Sequence, residues 1–294
     1  MSKSTHNFEF YRYQIIPVNR KQLDLFNQTE LSIDSLLAKK NQYFIEAFEN
    51  LCSSTYLDSI EGIKKFIFKK IYPTELFSNK QIYMFMMAKP KNITLETDEF
   101  TFKEIENWPR IHLIILNNED EQIIAVERRT NVFPNTQNSI NRLTEMLNKI
   151  LEIHNLNVHI HPIYDKNDFW DFVKDKSIKK IEFNLVTPNM ANISGAISEG
   201  LKSLAKSSNT ARTDLILNAA DQTSLCITRD NQEIASLVDY SSQGGGGIQV
   251  QFNGYKRAVN INKSTITTSI DNVIIQGNPD LIRDIILNEL PNND

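Results

Sequence analysis

Two apolar runs separated by a short polar stretch constrain the fold of this chain most. Residues 111–116 are nearly all apolar, residues 117–121 are polar or charged, and residues 123–126 are apolar again. Runs of this length, bounded by polar turn residues, are typical of strands that are buried on both faces. The segment therefore predicts a β-hairpin whose two strands lie largely inside the protein.

The residues after this hairpin alternate between helical and strand periods. Residues 133–136 predict a turn and the cap of a first helix. This helix is followed by a strand over 158–164, a short helix over 168–176 and an alternating strand over 180–186. The order ββαβαβ predicts a mixed β-sheet with two helices on one face, because βαβ crossovers are right-handed. The apolar residues at helical spacing in the first helix are Ile140, Leu143, Leu147, Ile150 and Leu151.

The flanking segments extend this plan into an α+β fold class. We predict a mixed β-sheet with the central ββαβαβ segment, flanking helices and a C-terminal β-hairpin region. The predicted domains are an N-terminal α+β region (1–108), the central segment packing with it (109–189) and a C-terminal α+β region (190–294). The flanking elements are strands over 7–18 and 81–88, helices over 34–51, 58–71 and 193–205, and a last helix from Asn278 to Leu290.

Glycine marks two connections in the C-terminal region. Asn253-Gly254 predicts a two-residue type I′ turn, which needs positive φ at both positions and places Gln251 opposite Lys256. Residues 244–247 are four consecutive glycines, and they precede a strand and not a helix, so no helix N-terminus would follow them to bind a phosphate. We interpret this tetraglycine as a flexible connection.

The charge balance and the cysteines narrow the class of protein. The chain has 32 basic and 36 acidic side chains and a formal net charge of −4. This balance does not indicate a strongly basic nucleic-acid-binding protein. Cys52 and Cys226 lie far apart and match no zinc spacing or disulfide framework, so a reducing cytoplasm is expected. The sequence shows neither an apolar run of membrane-helix length nor a signal-peptide core, so we expect no membrane partner.

Two histidines on one predicted strand form a candidate metal site. His159 and His161 are two positions apart, so both side chains point to the same face of the strand. Together with Asp165 or Asp168 they could bind a divalent metal, the only cofactor that the sequence suggests. The alternative is that the histidines fill the polar face of a half-buried strand.

Other catalytic signatures are weak, so the sequence favours a protein that is not an enzyme. Glu127, Glu182 and Asp214 are carboxylates near predicted strand ends, but their spacing fits no nuclease motif. No nucleophile elbow, Walker loop or dinucleotide-binding glycine motif occurs.

Pairs of cations recur at predicted strand ends. These pairs could contact phosphate groups without reading base sequence, and each contact would add to a salt-dependent affinity. The alternative is an ordinary charged surface. The candidate phosphate contacts are Arg128, Arg129, Lys179, Lys180, Lys256 and Arg257.

The order of segments resembles a known group of bacterial and phage proteins. Four features carry the resemblance: Phe10-Tyr11 in an opening strand, Ala125-x-x-Arg128 at the end of the hairpin, Pro134 before a helix, and Ile160-x-Pro162 at the end of a return strand. The chain resembles an uncharacterised bacterial domain family often found near defence genes, and it is similar in plan to the phage exclusion protein RexA. The resemblance implies abortive infection or phage exclusion, and DNA binding without sequence specificity by a homodimer.

Three functions follow as hypotheses. The first is a non-enzymatic defence protein that binds the DNA or RNA backbone. The second is a metal-dependent nuclease that uses His159 and His161. The third is an interaction module that senses a phage or defence-system protein, with the Met-rich strand around residues 83–87 as a possible edge.

Overall fold

The computed structural model describes residues 5–18, 33–53, 66–72, 79–186, 212–261 and 265–291, together with Phe77, Leu204 and Thr210. Helices and strands both occur, which confirms the predicted α+β class. The strands are β1 (Thr5–Pro17), β2 (Ile67–Tyr72), β3 (Ile82–Ala88), β4 (Lys91–Glu96), β5 (Phe102–Asn107), β6 (Arg110–Leu116), β7 (Ile123–Glu127), β8 (Leu156–Pro162), β9 (Ile178–Val186), β10 (Arg212–Asn218), β11 (Gly246–Phe252), β12 (Val259–Asn260) and β13 (Thr267–Asp271). The helices are α1 (Ile33–Ala38), α2 (Lys40–Leu51), α3 (Thr136–Leu151), α4 (Lys166–Val173), α5 (Gln232–Tyr240), α6 (Asn272–Gly277) and α7 (Pro279–Glu289).

The N-terminal strand β1 lies at the centre of the larger sheet. This sheet has the order β13-β1-β7-β6-β3-β2, and β8 also pairs with β1. Tyr11 and Arg12 pair with β7 and with β8 at once, so these two strands lie on opposite sides of β1. With 13 residues, β1 is long enough for β13 and β8 to share one side, end to end. The opening strand of the sequence thus organises the sheet.

Helices cover both faces of the larger sheet. Helices α2 and α3 pack on the face that carries Tyr13 and Val126, while α6 and α7 pack on the face that carries Phe10 and Ala125. Successive side chains of a strand point to opposite faces of the sheet. Because both sets of alternating positions carry apolar residues, these strands are buried on both sides. The hairpin predicted for residues 111–126 is confirmed as β6 and β7, with most residues fully buried.

Helix α3 has the apolar face that its spacing predicts. Ile140, Leu143 and Leu147 are at most 1% exposed, and each buried side chain contributes roughly 1.5–3 kcal/mol. The helix begins where the sequence indicates, because the side chain of Asn135 accepts a hydrogen bond of 2.8 Å from the backbone N–H of Asn138.

The smaller sheet has the order β10-β9-β11-β12. One face carries Ile181, Phe183 and Ile248 against α4 and α5. The opposite face alternates with these residues and carries polar side chains such as Asn184 and Gln249. This polar face is the part of the smaller sheet that reaches the candidate site.

The central segment has the predicted order ββαβαβ, formed by β6, β7, α3, β8, α4 and β9, but its strands do not build one mixed sheet. Every pair between named strands among the described residues is antiparallel. Strands β7 and β8 run parallel to each other, yet β1 lies between them and pairs with both. Strand β9 belongs to the smaller sheet, so α3 and α4 pack on different sheets and not on one common face. The domain boundaries at 108 and 189 stay predictions.

Several flanking predictions have clear outcomes. The strand over 81–88, the helical segment over 34–51 and the last helix are confirmed as β3, α1 with α2, and α7. The helix predicted over 58–71 is wrong at its end, because residues 67–72 form β2. Residues 58–65 lie outside the described residues, and so does nearly all of the helix predicted over 193–205. Strand β3 lies between β2 and β6, so the Met-rich segment is not a sheet edge. Within the described ranges, no helix combines the length and apolar character needed to cross a membrane.

The Asn253-Gly254 turn differs from the type I′ prediction. Gly254 has φ of +82°, but Asn253 is not among the described residues with positive φ. Gln249 lies opposite Asn260, so the predicted register that pairs Gln251 with Lys256 is wrong. The backbone N–H of Asn253 donates to the carbonyl oxygen of Ser177 at 2.9 Å. This contact ties the turn to the loop before β9, so tertiary contacts and not the dipeptide set its shape.

Three of the four glycines, residues 244–246, are buried, and contacts around them link the two sheets, so the flexible connection predicted for the tetraglycine is wrong. Nε of Arg12 donates to the carbonyl oxygen of Gln243 (2.6 Å), and Nε2 of Gln14 donates to that of Gly244 (3.1 Å). Arg12 and Gln14 are themselves buried in β1. Gly244 has φ of +83°, a left-handed conformation that favours glycine.

Candidate functional site

A cleft of about 1070 Å³ lies between the two sheets. One wall comes from β1, β8 and the start of α3, and the other comes from the polar face of the smaller sheet and the segment before β13. The polar lining residues of the first wall include Glu9, Arg128, Asn135, Thr136, Gln137, Asn141, His159 and His161. Those of the second wall include Asn184, Arg212, Gln249, Arg257 and Asn260.

The cleft has more positive than negative charge. Arg128, Arg212 and Arg257 line it, whereas Glu9 is the one acidic residue among the described lining residues. Nε of Arg128 lies 3.7 Å from Oε1 of Glu9, and the hydroxyl of Thr136 donates to the same carboxylate, so this charge is largely compensated. A protein with a net charge of −4 thus presents a locally cationic cleft.

The cationic residues differ in their partners. Nε of Arg212 donates to the carboxylate of Asp214 at 2.9 Å, and Asp214 does not line the cleft. No ion pair involves Arg257 within the part of the chain that the structure describes. Arg257 is therefore the cation of the cleft that is most available to an incoming anion.

The N-terminus of α3 opens onto the same cleft. Pro134, Asn135, Thr136 and Gln137 line it, and they form the start of a 16-residue helix. The first N–H groups of a helix have no partners within the helix, and the helix dipole favours a negative charge there. Together with the three arginines, this end of the helix makes the cleft suited to a phosphate group.

Histidines 159 and 161 contribute neutral hydrogen-bonding groups. Burial, reinforced by the charge of Arg212, lowers the pKa of His159. Burial, His159 and Arg212 lower the pKa of His161 to about 4. Near neutral pH both imidazoles are therefore uncharged, and each can donate one hydrogen bond and accept another.

The structure brings together only some of the predicted phosphate contacts. Arg128 and Arg257 line the cleft, whereas Arg129 donates to the carbonyl oxygen of Arg110 at 2.7 Å and Lys180 contacts Glu182 at 2.8 Å. Lys179 and Lys256 do not line the cleft.

Sequence reasoning missed Arg212 and the start of α3 as parts of the site. The Pro-Asn-Thr cap was visible in the sequence, but nothing local shows which surface the helix start will face. Arg212 is a single cation at the start of β10, without the second basic residue that marked the other candidates.

The metal site predicted at His159 and His161 lacks an assembled carboxylate. Asp165 caps α4, since its side chain accepts a hydrogen bond of 2.8 Å from the N–H of Asn167. Across the described ranges, the group of His, Cys, Asp or Glu residues whose ligand atoms converge within 4.8 Å consists of His6, His112 and Glu127. The His159–His161 metal site stays a prediction.

Acidification tests the burial of His161. The unfolded chain keeps the ordinary His pKa of 6.5, whereas the folded value is about 4, so between these values the unfolded state binds more protons. We expect the free energy of unfolding to fall by on the order of 2 kcal/mol as the pH drops from about 6.5 to about 4. Urea unfolding of the native protein and of His161→Asn measures this slope.

The variant should show a flatter pH dependence in this window. Its remaining slope comes from other groups, including His159. The Glu127 contribution belongs to a lower window: burial opposes ionisation, but hydrogen bonds from His112 and His6 lower its pKa to about 2, so its stabilisation disappears only below about 4.5. Identical slopes in both proteins would contradict the assignment to His161.

Comparison with known proteins adds no family to this description: the chain matches no family model and no curated protein.

Proposed function

We propose that this protein binds nucleic acid without sequence specificity in the cleft between its two sheets, as a cytoplasmic anti-phage defence protein of the abortive-infection or exclusion type. One observation carries the binding proposal: three arginines and the N-terminus of α3 converge on one cleft of a protein that is acidic as a whole. The defence role rests on the RexA-like order of segments in the sequence.

The chemistry of the cleft favours contacts to the phosphate backbone over base readout. Guanidinium groups and helix N-termini are common partners of phosphate oxygens, and such contacts carry no sequence information. The amides of Asn141, Gln249 and Asn260 add neutral hydrogen-bonding groups that suit sugar and phosphate oxygens. Tyr11 is the one aromatic residue among the described lining residues, so base stacking contributes little.

A salt titration tests the proposal. We expect labelled DNA and RNA oligonucleotides of unrelated sequence to bind with affinities within about threefold of one another at about 50 mM salt. Three arginines can neutralise up to three phosphates, so log K should fall with log salt with a slope of about −2 to −3. Fluorescence anisotropy measures both quantities.

Three outcomes would contradict the proposal. The first is no binding at about 50 mM salt, and the second is an affinity that does not change with salt. The third is a strong preference for one sequence, because phosphate contacts carry no sequence information.

The β4–β5 hairpin favours a protein partner as a second candidate function. Phe100 at its tip is 98% exposed and Phe102 is 74% exposed. A two-stranded hairpin is marginally stable in water by itself, so covering these apolar groups would stabilise it. The partners that the sequence suggests are a phage or defence-system protein and a second copy of the chain in a homodimer.

A further inference from the structure

We infer that His6, His112 and Glu127 form a zinc-binding site at one end of the larger sheet, outside the cleft. None of the three residues lines the cleft, so this site is independent of the proposed nucleic-acid contacts. The ligands come from three neighbouring strands, β1, β6 and β7, with β7 in the middle.

The strand register places the three side chains on one face. Phe8 lies opposite Glu127, and Leu113 lies opposite Val126, so His112 and Glu127 are the next neighbours along β6 and β7. His6 is two residues before Phe8, and Glu127 is two residues after Ala125. Residues two apart in a strand share a face, and His112 shares it with Ile114 in the same way.

The ligand atoms of the three residues already lie within 4.8 Å of one another. Nδ1 of His6 lies 2.8 Å from Oε1 of Glu127, and Nδ1 of His112 lies 2.7 Å from Oε2. The imidazole rings are nearly perpendicular, at 77°, with centroids 5.0 Å apart, so they meet edge to face and do not stack. The backbone N–H of His112 also donates to Oε2 of Glu127 at 2.8 Å, which holds the carboxylate in place.

Side-chain rearrangement and a change of histidine tautomer admit the metal. Ligand atoms of a tetrahedral zinc site with bonds of about 2.0–2.1 Å lie about 3.3 Å apart. His6 Nδ1 and His112 Nδ1 contact different oxygens of Glu127, so the side chains must rearrange until the ligand atoms have this separation, while the protons of both Nδ1 atoms move to Nε2.

The ligand set and its exposure favour zinc with an open coordination position. Two histidines and one glutamate are a ligand set of catalytic zinc sites, in which a water molecule takes the fourth position. Glu127 is 4% exposed, whereas His6 and His112 are 17% and 15% exposed, so the carboxylate is buried and the imidazoles are partly accessible to solvent. A water molecule can therefore reach the metal.

Calorimetric titration of the full-length, metal-free protein with Zn²⁺ alone tests the site. We expect one zinc ion per chain and a higher thermal midpoint in the presence of zinc, because the metal binds the folded state. Glu127→Gln, which keeps the side-chain shape, and His112→Asn, which removes the imidazole, should each weaken zinc affinity by about 100-fold or more.

His154→Asn is the matched control, because it removes a part-buried histidine that lies in neither candidate site. It should bind zinc as the native protein does. Circular dichroism of the metal-free variants establishes that they fold, and His6→Asn, near the start of β1, gives a second ligand variant if Glu127→Gln does not fold.

Three results would overturn the inference: no stoichiometric zinc binding by the native protein, unchanged affinity in the folded ligand variants, or loss of binding in His159→Asn alone. The last result would assign the metal to the His159–His161 strand.

Discussion

Gly246→Ala is expected to lower the free energy of unfolding by about 3 kcal/mol or more, whereas Gly247→Ala should change it by less than about 0.5 kcal/mol. The two substitutions add the same methyl group to adjacent residues of β11. A Cβ at Gly246 would lie 2.1 Å from the backbone oxygen of Asn184, which cannot move without displacing β9. A Cβ at Gly247 would meet nothing within 4 Å.

The effect is large because the tetraglycine packs at the junction of the two sheets. A Cβ at Gly245 would lie 2.2 Å from the ring of Tyr240, whose hydroxyl donates to the carbonyl oxygen of Val186 at 2.6 Å. A Cβ at Gly244 would lie 2.5 Å from Cβ of Arg12. A methyl group at any of residues 244–246 would therefore press against Arg12, Tyr240 or β9.

Urea unfolding monitored by circular dichroism measures the difference between the two variants. Equal stabilities for Gly246→Ala and Gly247→Ala would contradict the close packing of β11 against β9. Such a result would also favour the flexible connection that the glycine run suggests in the sequence.

Reversing two charges in the cleft is expected to weaken nucleic-acid binding by about 100-fold at low salt. Arg212→Glu with Arg257→Glu removes two cations and adds two anions in the same 1070 Å³ cleft. Each lost charged hydrogen bond to phosphate is worth about 1.5–3 kcal/mol, and a tenfold change in affinity corresponds to about 1.4 kcal/mol. The salt slope should also become shallower by about 2.

Lys91→Glu with Lys103→Glu is the matched control for this prediction. It changes the net charge of the protein by the same amount, on exposed residues of the β4–β5 hairpin that do not line the cleft. Anisotropy titrations at about 50 mM salt compare the two double variants. Equal weakening in both would mean that net charge, and not the cleft, determines the affinity.

The sequence predicted much of the local structure because local structure depends on nearby residues. The apolar run at 111–116 and the helical spacing from Ile140 to Leu151 reveal which faces are buried, and both elements are found there. The helix expected up to residue 71 failed at β2, because Phe68 is buried as a strand residue in the core beneath α2, and this contact lies outside the local pattern.

The candidate site was predictable only in part. Arg128, Arg257, His159 and His161 stood out as polar groups at predicted strand ends or on a strand face, and all four line the cleft. Arg129 and Lys180 looked equivalent to them in the sequence. Arg129 donates to Arg110, 19 positions away, which local patterns do not reveal, whereas Lys180 contacts Glu182, its neighbour two residues along the same strand face.

By itself, the sequence determined the α+β class, the order ββαβαβ and the faces that each element buries, because these depend on periodicity over a few residues. Only the tertiary structure decided that β1 lies between β7 and β8, that three of the four glycines are buried, and that His6, His112 and Glu127 meet. Residues 6 and 127 are 121 positions apart, and only strand pairing brings them within hydrogen-bonding distance. Pairing between distant strands depends on the packing of the whole core, and no local segment specifies that packing.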